Sequence, residues 1–253
     1  YSARGVVFDG LPDGGLLEIL RDLEGLILAV GICENSIPIR DCPPMGNVGR
    51  FLVLSGLNST PFRVHWSALN DITNWSTLES DSQDLPDGGI VQGVAGGEYG
   101  VIFQQTTMRR MVYNPGSDVI FTIERITEDK GLLAPYSIIR AGDKIFWLAS
   151  QGFHGMAPTG QPVEIGKERF DRTFLADYDT GSLRLVIGAA DPQASRVYWA
   201  YRSSTNPSAT FNKIIVYDYV LNKGALVELE GEYIASLAAP GITLESLDSV
   251  SGS

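Results

Sequence analysis

Short apolar runs, separated by glycine, proline and small polar residues, recur along the whole chain. Between residues 183 and 229 four such runs follow one another, at residues 183–187, 196–201, 213–219 and 225–229. Turn-forming sequences such as Asp191-Pro192 lie between them and favour tight reversals of the chain. The pattern predicts a four-stranded antiparallel meander of 47 residues, which is the size and strand count of one β-propeller blade.

A five-residue sequence, Leu-Pro-Asp-Gly-Gly, occurs twice, at residues 11–15 and 85–89. Each copy leads into an apolar run and then, through a charged or glycine-rich turn, into a second one. A repeated unit of this kind cannot bury its own apolar face and needs similar units as neighbours. We therefore expect each copy to mark the entrance of a blade. Because the copies lie 74 residues apart, the first unit is expected to carry an insertion at residues 33–44.

The same succession of strands and turns predicts four blade-like units and the start of a fifth. The units lie near residues 16–75, 90–127, 137–165 and 183–229, with an incomplete fifth from residue 233. One short helix is predicted over residues 167–178, where Phe170, Phe174 and Tyr178 recur every four residues. The expected fold is a single all-β domain over residues 1–253, a β-propeller-like array of four-stranded antiparallel blades with loop insertions and one short helix. Because the chain begins at Tyr1 rather than at Met, we expect it to be a fragment of a longer protein.

The composition limits the classes of function. Acidic residues outnumber basic ones, 30 to 19, which gives a formal net charge of -11. Binding to a phosphate backbone depends on lysine and arginine, so the composition argues against a protein that grips nucleic acid. No apolar run is long enough to span a bilayer. Cys33 and Cys42 fit no zinc spacing, and we expect two free thiols, with a local disulfide as the alternative.

Candidate catalytic residues are concentrated in a stretch rich in carboxylates. It comprises Asp71, Glu79, Asp81, Asp84 and Asp87. Propellers host glycosidases, which need two carboxyl groups facing each other across a concave site, one of them with a raised pKa. These acids instead stand beside glycine and proline, as acids in solvated turns do, and their spacing departs from that of an EF-hand calcium loop. We therefore interpret them as turn acids that cap backbone N–H groups.

Other sequence signatures of catalysis are missing. His65 and His154 lie far apart, and Ser67 and Ser150 stand in no nucleophile motif. The glycine-rich segment 93–97 joins two predicted strands and opens no helix, which argues against a phosphate cradle. We therefore predict no enzymatic activity and no catalytic, cofactor-binding or metal-binding residue.

An aromatic segment at residues 64–76 has a distinctive arrangement. A predicted strand ends at Trp66, a turn follows at Asn70-Asp71, and a second tryptophan stands at position 75. Asn and Asp favour turns, and an indole combines a large apolar surface with one N–H donor. We expect the strand to leave its sheet through a loop that the two indoles anchor.

Several segments, in their order along the chain, resemble one family of virion proteins. Residues 63–75 are similar to a strand followed by Trp-Ser and Asp-Pro-Thr-x-Trp, although Asp71-Ile72 stands where the family has Asp-Pro. The later segments are residues 129–137 with 144–153, residues 216–219 with Gly224, and residues 241–248. This order resembles the tail nozzle, or tail tubular protein B-like, proteins of short-tailed bacteriophages, also described as packaged-DNA stabilisation proteins. The resemblance covers most of the chain from about Gly49 onward.

The resemblance implies a structural virion protein that forms a cyclic homo-oligomer, a ring at the distal end of the tail tube. The lumen of that ring passes the genome during ejection, without specific binding, and is closed beforehand. The implied partners are tail adaptor or portal-side proteins and a tail fibre or needle. The implied location is the virion tail, after synthesis in the cytoplasm of the host bacterium.

The acidic composition suits a DNA conduit. A basic lining would hold a duplex that carries one charge every ~1.7 Å, so we expect a good part of the -11 charge to face the lumen or its mouth. The alternative from another class is a carbohydrate-binding or glycan-hydrolysing propeller module of a tail. A buried, facing carboxylate pair would favour that alternative, and an exposed apolar rim would favour the ring. A cellular propeller of the kelch or WD40 kind is a third alternative, but the sequence lacks their blade signatures.

Overall fold

The computed structural model describes residues 45–57, 60–76, 79–191 and 193–236. Within them, four antiparallel sheets of four strands each follow one another along the chain. In every sheet the strands that are adjacent in sequence are also hydrogen-bonded neighbours, so that each sheet is a simple meander. This arrangement of blades confirms the all-β, propeller-like fold class.

The strands are numbered in chain order. Blade 1 contains β1 (Met45–Val48), β2 (Phe51–Leu57), β3 (Thr60–Trp66) and β4 (Asp81–Asp84). Blade 2 contains β5 (Val91–Ala95), β6 (Gly100–Gln104), β7 (Met108–Tyr113) and β8 (Phe121–Thr127). Blade 3 contains β9 (Ile139–Ala141), β10 (Lys144–Ala149), β11 (Gly152–Met156) and β12 (Val163–Glu164). Blade 4 contains β13 (Ile187–Asp191), β14 (Arg196–Tyr201), β15 (Phe211–Asp218) and β16 (Lys223–Gly231), and the helix α1 (Asp171–Asp177) lies between blades 3 and 4 in sequence.

The sheet bounds differ from the predicted units at both ends of the chain. Blade 1 takes its fourth strand from β4, so the predicted end of the first unit at residue 75 is wrong. At the other end, residues 233–236 form no strand, contrary to the predicted fifth unit. Ser236 instead accepts a hydrogen bond from the Ala190 amide, and Ile234 packs on the outer face of blade 4. The remainder of that unit, the segment 241–248 and the segment 1–44 with Cys33 and Cys42 lie outside the described residues.

The predicted strand at residues 183–187 is also wrong for most of its length. A 3-10 turn occupies Thr180–Leu185, and β13 begins only at Ile187. The cause is local capping, because Asp179 accepts hydrogen bonds from the Gly181 amide and the Ser182 hydroxyl. Such side-chain bonds to the neighbouring backbone compete with strand pairing.

Apolar clusters between consecutive blades form the core. One cluster joins blades 1 and 2, a second joins blades 2 and 3, and a third joins blades 3 and 4. Strand β10 shows the principle, because Ile145 and Trp147 belong to the cluster with blade 2 whereas Phe146 and Leu148 belong to the cluster with blade 4. Both faces of the strand are buried, which explains its unbroken apolar sequence.

The single short helix predicted from the phenylalanine spacing is confirmed as α1. Phe170, at the helix N-cap, and Phe174 are buried in the cluster between blades 3 and 4. The Tyr178 ring stacks on the Phe174 ring with centroids 4.8 Å apart. The helix therefore closes one side of the junction between these blades and serves as packing. Within the described residues, no helix is both long and apolar enough to cross a membrane.

Polar contacts fix how the blades sit against each other. The Trp199 indole in blade 4 donates to the Ser137 carbonyl, 2.9 Å away, on the segment that leads into blade 3. At the junction of blades 1 and 2, the Gly97 amide donates to the Asn47 carbonyl and the Gly49 amide donates to the Gly97 carbonyl. These bonds complement the apolar clusters, because such directional contacts favour one register between neighbours.

The indole bond between blades 3 and 4 gives a direct test of this packing. Trp199→Phe keeps an aromatic ring but leaves the buried Ser137 carbonyl without its donor, so we expect the free energy of unfolding to fall by about 1–3 kcal/mol. Val163→Thr, at a site that is 63% exposed, is the control and should change it by less than about 0.5 kcal/mol. Urea titration measures both values, and equal stability of the two variants would contradict the assignment.

Candidate functional site

The carboxylates singled out in the sequence do not converge on one site. Asp81 and Asp84 lie on β4, where they pair in register with Trp66 and Arg63 of β3, so their placement in a turn is wrong, although both are exposed as expected. The Asp84 carboxylate accepts two hydrogen bonds from the Arg63 guanidinium, at 2.6 and 3.1 Å. Asp71 does form a turn, since its Oδ1 accepts from the Thr73 amide at 3.0 Å and from the Thr73 hydroxyl at 2.6 Å.

The local partners of these acids keep them ionised. Hydrogen bonds from Thr73 lower the pKa of Asp71, and the hydrogen bond from Arg63 lowers the pKa of Asp84. Burial raises the pKa of Asp87, but the hydrogen bond and charge of Arg109 more than offset this, so that its pKa also lies below the usual range. A glycosidase acid must hold a proton near neutral pH. None of these three carboxyl groups is suited to that task.

The second Leu-Pro-Asp-Gly-Gly copy lies directly before β5 and fastens the entrance of blade 2. Leu85 is buried in the cluster between blades 1 and 2, and its carbonyl accepts a hydrogen bond from the side-chain amide of Gln104 at 2.6 Å. The Asp87 carboxylate pairs with both Arg109 and Arg125. A Cβ at Gly88 would collide with the side chain of Gln104. The motif therefore combines an apolar anchor, an ion-pair latch and a close approach that only glycine permits.

The loop that follows Trp66 and contains Trp75, called the tryptophan loop below, is anchored by the two indoles as predicted. The Trp66 indole donates to the Glu79 carbonyl at 2.9 Å, and the Trp75 indole donates to the Ile72 carbonyl at 2.8 Å. The His65 ring packs edge-on against Trp75, and its Nε2 lies 3.1 Å from the Trp75 carbonyl. His65 is thus part of the anchor of the loop, which accounts for its position beside Trp66.

His154 is buried in the interior of blade 3. Its Nδ1 lies 3.0 Å from the Gly152 carbonyl, its ring stacks on Trp147, and its Nε2 has no hydrogen-bond partner within the described residues. Burial lowers the pKa of His154. A neutral ring on an indole in a closed interior suits packing rather than proton transfer to a substrate.

Sequence reasoning missed Asp171, the acid with the largest pKa shift among the described residues. It stands at the first position of α1, where an acid is common, so the sequence carried no signal that set it apart. Its carboxylate accepts from the Phe153 amide at 3.0 Å and leaves no room for a Cβ at Gly152 or Gly166. Burial raises the pKa of Asp171 to about 6. The side chain holds the start of α1 against β11.

A small cleft lies between α1 and the outer strands of blade 4. Its volume is about 100 Å³, and its lining includes Phe174, Tyr201 and Leu226, with Arg169 as its charged member. Pockets for small-molecule ligands are several times larger, and no carboxylate lines this cleft. Across the described ranges, no three His, Cys, Asp or Glu side chains come together in a way that could hold a metal ion.

Comparison with known proteins identifies no family for this chain. No protein-family model and no curated protein matches the chain. Among solved structures, dihydro-heme d1 dehydrogenase NirN aligns over 75% of this chain and 38% of its own, at 13% identity and a TM-score of 0.43. AztD from Citrobacter koseri aligns over 75% of this chain and 47% of its own, at 14% identity and a TM-score of 0.40. Kuenenia stuttgartiensis hydrazine synthase aligns over 74% of this chain and 53% of its own, at 11% identity and a TM-score of 0.44. The chain spans about half the length of these structures or less.

The Asp87 latch can be tested against a matched acid in the same stretch. Asp87→Asn removes the partner of Arg109, whose side chain is 10% exposed, and leaves a buried charge without a counter-ion. Asp84→Asn removes an ion pair that is open to solvent on both sides and should matter little. We expect a clearly lower melting temperature for the first variant and almost no change for the second. A reversed order in thermal melts would contradict the latch.

The raised pKa of Asp171 predicts how stability changes with pH. The unfolded chain binds this proton with a pKa of about 3.9, whereas the folded protein binds it with a pKa of about 6. The resulting stabilisation is fully present below the unfolded value and is lost as the pH rises through about 6. This loss of stability with rising pH amounts to about 3 kcal/mol in total. Asp171→Asn should abolish the corresponding slope of stability against pH. Urea titrations between pH 4 and 8 measure it.

His154 provides the control of opposite sign. Its folded pKa lies below its unfolded value, so its contribution to stability is lost as the pH falls below about 6.5. His154→Gln should remove that acid-side loss and leave the Asp171 slope in place. If Asp171→Asn retained the full slope of the wild type, the assignment to Asp171 would be wrong.

Proposed function

We propose that this protein is a structural subunit of the tail of a short-tailed bacteriophage, a ring-forming nozzle protein through which DNA is retained and ejected. The coarser part of the statement, the propeller-like fold, rests on the four stacked blades. The finer part rests on the sequence segments that resemble the nozzle family and on the positions of these segments in the fold.

The observation that carries the proposal is that these segments fall, in chain order, on strand ends and hairpins of blades 1, 3 and 4 and on the connection between blades 2 and 3. Residues 63–75 form the end of β3 and the first part of the tryptophan loop. Residues 129–137 connect blade 2 to blade 3, and residues 144–153 form β10 and its turn into β11. Residues 216–224 form the hairpin between β15 and β16. A family built on one blade array would share such strand ends, hairpins and connections in this order.

The state of the candidate acids favours a structural role over glycan hydrolysis. Hydrolysis requires one carboxyl group that keeps its proton near neutral pH and a second that faces it. Asp71, Asp84 and Asp87 have lowered pKa values, each with its own partner. Asp171 has a raised pKa, but it is only 7% exposed and is enclosed by its neighbours. The acids of the chain therefore support its turns and joints.

The formal charge of -11 fits a conduit that must not retain DNA. An acidic wall repels the phosphate backbone and keeps the duplex free to move. We place a good part of the acidic surface toward the lumen of the ring or its mouth. A ring structure with lysine and arginine lining the channel and the acids outside would contradict this part of the proposal.

The native mass of the protein tests the proposal. We expect the purified full-length protein to form a closed ring, alone or on a tail-adaptor ring, and to leave polysaccharides intact. Mass photometry with and without the adaptor ring, together with a reducing-sugar assay, measures both properties. A strict monomer that never joins the adaptor ring but cleaves a polysaccharide would overturn the proposal in favour of the carbohydrate-active alternative.

A further inference from the structure

Two apolar side chains project side by side from the turn between β15 and β16. Val220 is 68% exposed and Leu221 is 63% exposed, and Val220 is the most exposed large hydrophobic side chain of the described residues. The turn comprises residues 219–223 and is called the β15–β16 tip below. Exposed apolar side chains that lie together are a common feature of interaction sites.

Hydrogen bonds hold the β15–β16 tip in one conformation. The Asp218 carboxylate accepts from the backbone amides of Val220, at 3.1 Å, and Leu221, at 2.9 Å. Asn222 adopts a left-handed conformation with φ of 55°, and its carbonyl accepts from the Arg169 guanidinium at 3.2 Å. The two apolar side chains are therefore presented on a fixed backbone, which lowers the entropic cost of binding through them.

Positive charge surrounds this apolar pair. Lys223 is exposed at the C-terminal end of the tip, and Arg169 is exposed beside it. The Lys144 ammonium lies 5.1 Å from the centre of the Tyr219 ring. Asp218, the carboxylate at the base of the tip, is already bound to the two backbone amides. The tip thus combines an apolar contact with three cations, on a chain whose formal net charge is -11.

We propose that the β15–β16 tip binds the acidic surface of a second copy of this chain. The inference rests on the proposed ring and names a contact within it. A ring forms when two different surfaces of the same protein meet head to tail, and an apolar tip with cations complements a surface that is acidic overall. Charge complementarity of this kind favours a second copy as the occupant and orients it during association.

The experiment compares three variants by mass photometry and sedimentation velocity over a range of concentrations. Val220→Ser combined with Leu221→Ser should weaken self-association on the order of tenfold or more, because two apolar side chains no longer become buried. Lys223→Glu should weaken it at low salt and have less effect at high salt. Val163→Ser, which changes a side chain of equal exposure on blade 3, should associate like the wild type. Circular dichroism and melting temperatures show whether every variant folds.

Each outcome decides the inference separately from the proposed function. If the double variant associates like the wild type, the tip is not the contact, and the ring itself is unaffected. If the wild type stays monomeric at every concentration, binding to a second copy is overturned, even where the chain still joins a tail-adaptor ring. Tip-dependent binding to phosphatidylglycerol vesicles without self-association would likewise overturn it, because the occupant would then be an anionic membrane.

Discussion

The structure depends on the burial of sheet faces at the three junctions between consecutive blades. Hydrophobic burial of one large side chain contributes roughly 1.5–3 kcal/mol, whereas an exposed ion pair contributes about 1 kcal/mol or less. In β10 alone, Ile145, Trp147, Phe146 and Leu148 are at most 3% exposed and divide between two junctions. A single blade would leave both faces of this strand in water. The blades are therefore stable as a stack, and the polar contacts only select its register.

The polar contacts between chain segments depend on the stacking of the blades. The Trp199 indole and the Asp87 carboxylate join chain segments that apolar packing has already brought together. The Ser137 carbonyl and the Arg109 side chain are buried, so each would lose its partner without regaining contact with water. Burial between packed elements also gives a structural role to the titratable residues Asp171 and His154. Asp171, at the start of α1, is buried against β11 and His154 is buried in blade 3, and burial shifts the pKa of each.

The sequence predicts those elements whose apolar pattern is set by burial on both faces. Strand β14 coincides with the predicted run 196–201 for this reason. Strand β4 was missed because its sequence, Asp-Ser-Gln-Asp, contains no apolar residue and its pairing with β3 alone defines it. The turn capped by Asp179 shows how local hydrogen bonds override an apolar run. The enclosure of Asp171 requires Gly152 and the Phe153 amide of β11 to pack against the start of α1, so only the folded chain brings that feature together.

Because the blades stack on one another, the described blades should unfold as one cooperative unit. Native-state hydrogen–deuterium exchange at low protein concentration tests it through β6, β10 and β14, which are the second strands of blades 2, 3 and 4. The account predicts that amides of these strands share one free energy of opening, equal to that of global unfolding, while the exposed strand β16 opens locally at a lower cost. Separate opening free energies for blades 2, 3 and 4 would contradict it.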